Sequence, residues 1–198
     1  MLTTYFKSKQ LDIFILFCLK IGKGTQNDII LDKIKFFWKE PDVLLYIEKN
    51  NLELLNQKLL DEQGVVSDLI NVIKEYLSGK KINLYDSIKN INIDLSFKEK
   101  FHTDFSRKVM RFVTQLKYGE ITSYSDIGQE INSKAYRAIG TVLKKNPIPL
   151  IIPCHRVLGK NGIGGFMGKT KGGAEINLKR DLLEIEGVLE YEKVPLQK

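Results

Sequence analysis

The sequence predicts two domains of different class: an α/β domain of mostly antiparallel sheet with helices over residues 1–95, and a mainly helical domain containing a helix-turn-helix over residues 96–198. Three observations predict this. Runs rich in β-branched and aromatic residues come first and give way to helical patterns, the order expected of a strand-then-helix domain. A polar Asn/Lys/Asp-rich stretch, 80–100, then reads as a linker. Beyond it the apolar period is helical throughout, and the charge changes character.

Residues 11–21 (LDIFILFCLKI) read as a buried strand ending at Gly22 and Gly24, with Cys18 packed as a small hydrophobe. Residues 28–38 and 42–48 read as two more strands separated near Pro41, and 51–62 as a helix through Leu52, Leu55 and Leu59. Ser67 is the expected cap of a helix with Leu69, Val72, Ile73, Tyr76 and Leu77 on one face, ended by Gly79. Nothing in this half names a chemistry.

In the second half, Phe105, Val109, Phe112, Val113 and Leu116 form an apolar stripe stopped at Gly119. Thr122 or Ser123 caps a short helix carrying Ile127 and Ile131. Asn132 and Ser133 make a turn, and a basic helix runs over 134–145 with Ala138, Ile139, Val142 and Leu143 toward the core. Helix, tight turn and basic second helix is the helix-turn-helix pattern. Gly140 inside that helix costs about 1 kcal/mol relative to Ala. It fits close approach to a groove or tight packing within the domain. Arg137 reads either as a solvated charge or as a functional one.

Asn146 to Val157 (NPIPLIIPCHRV) organises the domain. Pro147, Pro149 and Pro153 forbid a helix and predict an extended, stiff backbone. Leu150, Ile151 and Ile152 should be buried, delivering Cys154 and His155 to the edge of a core. A thiol and an imidazole on a rigid support suit nucleophilic chemistry, although a buried structural cysteine is the other reading. The last helix carries Leu178, Leu182 and Ile185 and ends at Gly187. Glu186 sits at its final turn, where the macrodipole disfavours a carboxylate. It is either simply solvated or serves a cationic or imidazole partner.

Charge and cysteine usage narrow the function classes. Residues 1–95 carry 13 basic and 13 acidic side chains, so the net +7 belongs to 96–198. Positions 131–174 hold eight basic residues and no acid: Lys134, Arg137, Lys144, Lys145, Arg156, Lys160, Lys169 and Lys171. A one-sign tract around a candidate nucleophile suggests a polyanionic substrate. Two distant cysteines, Cys18 and Cys154, argue against a disulfide framework and for a reducing, cytoplasmic setting. With only His102 and His155 beside them, no metal motif is spaced. The apolar run 13–19 is too short to span a bilayer, so no membrane role is expected. Seven of the 15 glycines fall in 159–173, yet neither phosphate motif survives: a P-loop ending at Gly168-Lys169-Thr170 needs Gly where Ile163 stands, and G-x-G-x-x-G fails at Met167.

The motifs GEITSY (119–124), AYRA (135–138), NPIPLIIPCHRV (146–157), GFMG (165–168) and LLEIEG (182–187) together resemble the O6-alkylguanine-DNA alkyltransferases, in order and at compatible spacing over about 103–188. The resemblance implies irreversible, single-turnover transfer of an alkyl group from O6 of guanine, and from O4 of thymine, in double-stranded DNA to Cys154. It implies no cofactor, no metal and a monomer. In that family's pattern His155 takes the thiol proton through a water, Glu186 orients His155, and Asn146 holds the segment. Tyr124 meets the extruded nucleotide, Ala135 and Ala138 enter the minor groove, and Arg137 fills the vacancy in the stack. Ser123, Val157 and Phe166 complete the expected DNA and substrate contacts. Phe166 replaces a frequent Tyr, and 169–177 lengthens the stretch before the last helix. The rival classes are a non-reactive lesion-binding or regulatory DNA-binding protein, against which the joint presence of Cys154, His155 and Glu186 argues, and a Cys-His hydrolase, which lacks an oxyanion device.

Overall fold

A computed structural model of the chain describes residues 1–22, 29–55, 64–160, 162–170 and 172–188. Two compact units divide it, Met1–Ser96 and Phe97–Lys198. Among the described residues no helix is long and apolar enough to cross a membrane.

The first unit is built on a five-stranded sheet of order β4-β1-β2-β3-β5. The long strands β1 (Leu2–Ser8), β2 (Ile13–Ile21) and β3 (Ile29–Phe37) pair antiparallel. Two-residue strands β4 (Glu53–Leu54) and β5 (Ile93–Asp94) add parallel edges. β2 lacks the alternation of a half-exposed strand because both of its faces are covered. Leu16 and Cys18 pack with Val43 and Ile47 of α1 (Glu40–Lys49). On the other face Phe17 stacks on Phe6, over which lies Lys74 of α2 (Gly64–Leu77).

Several expectations for this unit are corrected. Residues 42–48 are helix, not strand: Pro41 stands in the first turn with Glu40 and Asp42, favourable helix-start chemistry, and Val43 and Ile47 are buried one turn apart. Leu52 to Leu55 is not helical, since Glu53 and Leu54 pair with Leu2 and Thr3. The rest of the helix expected over 51–62, and Gly24, lie outside the described residues. Ser67 lies inside α2, which begins at Gly64, rather than ahead of its first turn. The 80–100 stretch is no linker: it holds α3 (Leu84–Asn90), capped by Asn83 and anchored through buried Leu84 and Ile88, then β5 and α4 (Phe97–Lys100). β1 is a strand that apolar periodicity does not single out.

The second unit packs α5 (Asp104–Gln115), α6 (Tyr124–Glu130) and α7 (Tyr136–Lys144) on one another. Thr103 caps α5 and Ser123 caps α6, each with a reciprocal capping box. Gly128 in α6 is a required glycine, because a Cβ there would lie 2.5 Å from the Ser133 carbonyl oxygen and 2.7 Å from the Tyr136 ring. It lets the end of α6 meet the start of α7 closely. Ala138 is exposed rather than in the core, which Ile139 and Leu143 supply. A short parallel pair, β6 (Thr122–Ser123) with β7 (Val157–Leu158), and the last helix α8 (Ala174–Ile185) complete the unit.

Candidate active site

The NPIPLIIPCHRV segment is rigid but not extended. Between Pro149 and Ile152 the chain turns back, with the Ile152 N–H donating to the Ile148 carbonyl at 3.1 Å and Leu150 in the left-handed region at φ 73°. Such a conformation costs a non-glycine residue about 1–3 kcal/mol and survives only where its surroundings hold it. Here Ile148, Leu150, Ile151 and Ile152 are all buried, so leaving the turn would expose an apolar cluster. The chain then enters a single 3-10 turn, Cys154–Arg156, and continues directly into β7. Because β7 pairs with β6, the pairs Thr122–Val157 and Ser123–Leu158 bring the start of α6, and hence Tyr124, beside the cysteine.

Asn146 ties this turn together. Its amide Nδ2 donates to the Ile152 carbonyl at 2.8 Å and to Cys154 Sγ at 3.2 Å, while Oδ1 accepts from the Ile148 N–H at 3.1 Å. Behind the cysteine, His155 Nε2 lies 3.0 Å from Glu186 Oε1. An ionised carboxylate can only accept, so Nε2 carries the proton and Nδ1 the lone pair. Arg156 then grips the same carboxylate through Nε, at 3.1 and 3.0 Å, and through Nη2 at 2.7 Å, and its Nη1 donates to the Leu116 carbonyl at 2.7 Å. All three side chains are buried.

The electrostatics follow from this stacking. Burial alone would raise the Glu186 carboxyl, but the His155 and Arg156 contacts outweigh it and hold the group well below the usual carboxylate range. Burial pushes the His155 imidazole down against the pull of Glu186, so the ring is neutral at neutral pH and able to accept a proton. Burial also pushes the Cys154 thiol up, opposed by the Asn146 hydrogen bond and by the charge of Lys179. The resting sulfur is a thiol with a base beside it. Burial and the neighbouring cysteine raise the Tyr124 hydroxyl, which keeps it a proton donor.

Cys154 opens onto a cavity of about 330 Å³ whose walls include Tyr124, Arg137, Gly140, Phe166 and Met167. The far wall is a tight turn in which Phe166 and Lys169 exchange backbone hydrogen bonds at 2.9 Å around Met167 and Gly168, both at positive φ (49° and 87°). Gly140 is not forced by a clash, since a Cβ there would sit 3.6 Å from the Tyr124 ring, an ordinary contact. The arrangement suits attack by sulfur on a flat, mostly apolar group presented from outside.

A family model for the 6-O-methylguanine DNA methyltransferase DNA-binding domain matches residues 104–188. The methylated-DNA–protein-cysteine methyltransferase of Metallosphaera sedula is 35% identical over 133 residues, covering 67% of this chain and 74% of that protein. The chain belongs to the methylated-DNA–protein-cysteine methyltransferase family. Its fold is that of solved family members. The O6-methylguanine-DNA methyltransferase of Pyrococcus kodakaraensis matches with a TM-score of 0.63 at 24% identity, over 94% of this chain and 99% of that one. The Mycobacterium tuberculosis OGT, solved in complex with DNA, matches with a TM-score of 0.62 at 24% identity, over 94% and 92% of the two chains.

Of the expected methyltransferase residues, Asn146 with Cys154 and His155 with Glu186 form two hydrogen-bonded pairs, adjacent through the Cys154–His155 peptide, and Tyr124, Arg137 and Phe166 share the cavity with the sulfur. Ala135 and Ala138 are exposed at the start of α7. Ser123 and Val157 stand in the β6–β7 pair beside the cysteine: Ser123 is buried, its hydroxyl accepting from the Asp126 N–H and hydrogen-bonded to Ser125, and Val157 is fully buried in β7. They shape the site through backbone pairing. Lys134, Arg137, Lys144, Lys145, Lys160 and Lys169 are exposed, while Lys171 lies outside the described residues. Arg156, counted with that surface tract, is instead buried as the partner of Glu186. The tract holds no acid, so a buried arginine within it had to find a carboxylate elsewhere in the chain. On α8 the expected Leu178 and Leu182 are buried, joined by Ile176, Lys179, Leu183 and the capping Glu186, while Ile185 is only half-buried.

Proposed function

We propose that this chain repairs DNA by direct reversal, taking an alkyl group from O6 of guanine onto Cys154 in one irreversible turnover. The observation that carries the reading is a thiol at the cavity, hydrogen-bonded to Asn146, with a neutral His155 fixed by an Arg156-neutralised Glu186 behind it. His155, through a water, takes the thiol proton, and the resulting thiolate attacks the alkyl carbon. The S–C bond forms as the C–O6 bond breaks, and the departing guanine takes a proton from Tyr124. The thioether left on Cys154 has no leaving group, so the protein acts once.

Duplex DNA is the partner. The α6–α7 pair serves as the helix-turn-helix, and the small side chains Ala135 and Ala138 let the α7 backbone approach the minor groove. Arg137, exposed at the cavity rim, fills the place of the extruded base, an exchange that offsets part of the few kcal/mol extrusion costs. The Lys144 and Lys145 ammonium groups contact phosphates. Domains 1–95 and 96–198 divide the labour, with the second holding every group named here. The protein works as a monomer in the reducing cytoplasm, where both free cysteines, Cys18 and Cys154, stay thiols. The test is incubation with a duplex carrying O6-methylguanine. Intact-mass and peptide analysis should find one methyl, on Cys154, in one turnover; a protein that binds the duplex but keeps its original mass would be a lesion binder only.

A further inference from the structure

Glu186 serves His155 only while its carboxylate stays on the ring, and α8 alone does not secure that. Glu186 caps the helix just beyond its last turn, where helices fray. The Leu182, Leu183 and Glu184 carbonyls are closed locally, by the N–H groups of Glu186, Val188 and Gly187 at 3.1, 2.8 and 2.9 Å. The Ile185 carbonyl is closed from elsewhere: the Tyr118 hydroxyl, 67 residues away along the chain, donates to it at 2.7 Å. The neighbours of Tyr118 reach the same place. The Gly119 N–H donates to Glu186 Oε2 at 3.3 Å, and the Leu116 carbonyl accepts from Arg156 Nη1 at 2.7 Å. Gly119 stands at φ 74°, and a Cβ there would lie 3.0 Å from the Glu186 carbonyl oxygen. A side chain would strain its backbone and press the two segments apart.

We propose that residues 116–119 form a bracket for the acid–base pair, with Tyr118 as a positioning residue whose hydroxyl fixes the backbone from which Glu186 reaches His155. This rests on His155 and Glu186 activating Cys154, and it adds the group that holds Glu186 in place. Tyr118 does not line the Cys154 cavity, so it acts through Glu186. A hydroxyl that merely closed a helix end would need the Ile185 carbonyl and nothing more. The bracket instead holds Glu186 by backbone and carboxylate together, and holds its counter-ion Arg156 as well. The same connection runs on through β6 to Tyr124. One short segment is therefore tied to the carboxylate behind the nucleophile at one end and to the cavity's hydroxyl at the other.

The experiment measures the rate of Cys154 modification by iodoacetamide at neutral pH, in a Cys18→Ala background of the full chain. The variants are Tyr118→Phe, Glu186→Gln and the two combined. Tyr118→Phe removes one hydrogen bond and should slow modification about fivefold. Added to Glu186→Gln, the same change should cost about twofold or less, because groups that act through one another are not additive. A helix-end role would lower the denaturant midpoint of Tyr118→Phe while leaving its rate at the parent value, and that result would overturn the proposal. So would an equal loss in both backgrounds. Gly119→Ala, which strains the other side of the bracket, keeps the test open if Tyr118→Phe does not fold. It should slow modification in the parent and not in Glu186→Gln, and equal losses in the two would again overturn the proposal. Methyl uptake from the lesion duplex by the unaltered protein is scored separately. Its absence sinks the repair reading, while the iodoacetamide rates still decide the role of Tyr118.

Discussion

Cys18 and Cys154 are both buried free thiols, and burial pushes both upward, yet only one stands where chemistry can happen. Cys18 is on the central strand β2, packed with Leu16, Val43 and Ile47, and no cavity reaches it among those described. Cys154 is nearly as buried, at 7% exposed, but its neighbours are an amide donor, a fixed neutral imidazole and a cavity of about 330 Å³. The difference teaches that burial alone makes a thiol inert. A donor, a base and an approach path turn the same burial into an advantage, because the low dielectric strengthens each interaction with the thiolate.

The largest expected effect tests the contrast directly. Cys154→Ala should abolish methyl transfer while retaining binding to alkylated duplex, whereas Cys18→Ala should keep full transfer and cost about 1 kcal/mol of stability for the missing core atom. Single-turnover assays and denaturant melts read both. Loss of transfer in the Cys18 variant alone would reverse the assignment.

Removing the base should make Cys154 resemble Cys18. His155→Ala and Glu186→Gln should each slow transfer about 100-fold or more, and the double variant should be little worse than the slower single one, since the pair acts as a unit. Additive losses in single-turnover rates would show two independent roles. Glu186→Gln should also reshape the acid limb of stability. Glu186 is held below its unfolded value, so its contribution is present above about pH 4.3 and is lost as pH falls toward the folded value. His155 is also lowered, so stability starts to drop below about pH 6.5, where the unfolded imidazole takes a proton that the buried ring resists. Chemical melts from pH 7 downward should give a shallower low-pH loss in Glu186→Gln, from a lower starting stability because Arg156 loses its carboxylate.

Next in size is the path to the cavity. Arg137→Ala should slow repair of duplex DNA about tenfold while reaction with free O6-benzylguanine, which has nothing to extrude, stays near wild type. Equal losses on both substrates would mean that Arg137 serves the thiol or the fold. Lys145→Ala should have the smallest effect: weaker duplex binding, with the slope of log affinity against log salt reduced by about 0.9 if one phosphate contact is lost. A salt slope identical to wild type would remove Lys145 from the DNA-facing surface.

Much of the second unit was legible in the chain because its signals are local. The capping serine Ser123, the stripe of α5, the small residues of α7 and the prolines around Cys154 each specify a few neighbouring dihedrals, and neighbours in sequence carry that information. The family motifs added the roles of Cys154, His155, Glu186 and Asn146. The first unit was harder to read. Its helix over 40–49 is written in residues that also suit a strand, and only its packing on β2 and β3 shows which period wins.

What the sequence by itself determined is the reactive pair, the basic surround and, in the second unit, where α6 starts and α8 ends. Tertiary structure alone decided which charges are not surface charges. Arg156 read as a member of a solvated tract and Lys179 was singled out by no pattern, and they became the counter-ion of Glu186 and a buried cation on the Val157 and Gly165 carbonyls only once α8 lay against the 3-10 turn. The reason is physical: a charge is buried only when partners from distant segments arrive together, here 30 residues apart for Arg156–Glu186 and 22 for Lys179–Val157. No local pattern along the chain records that meeting.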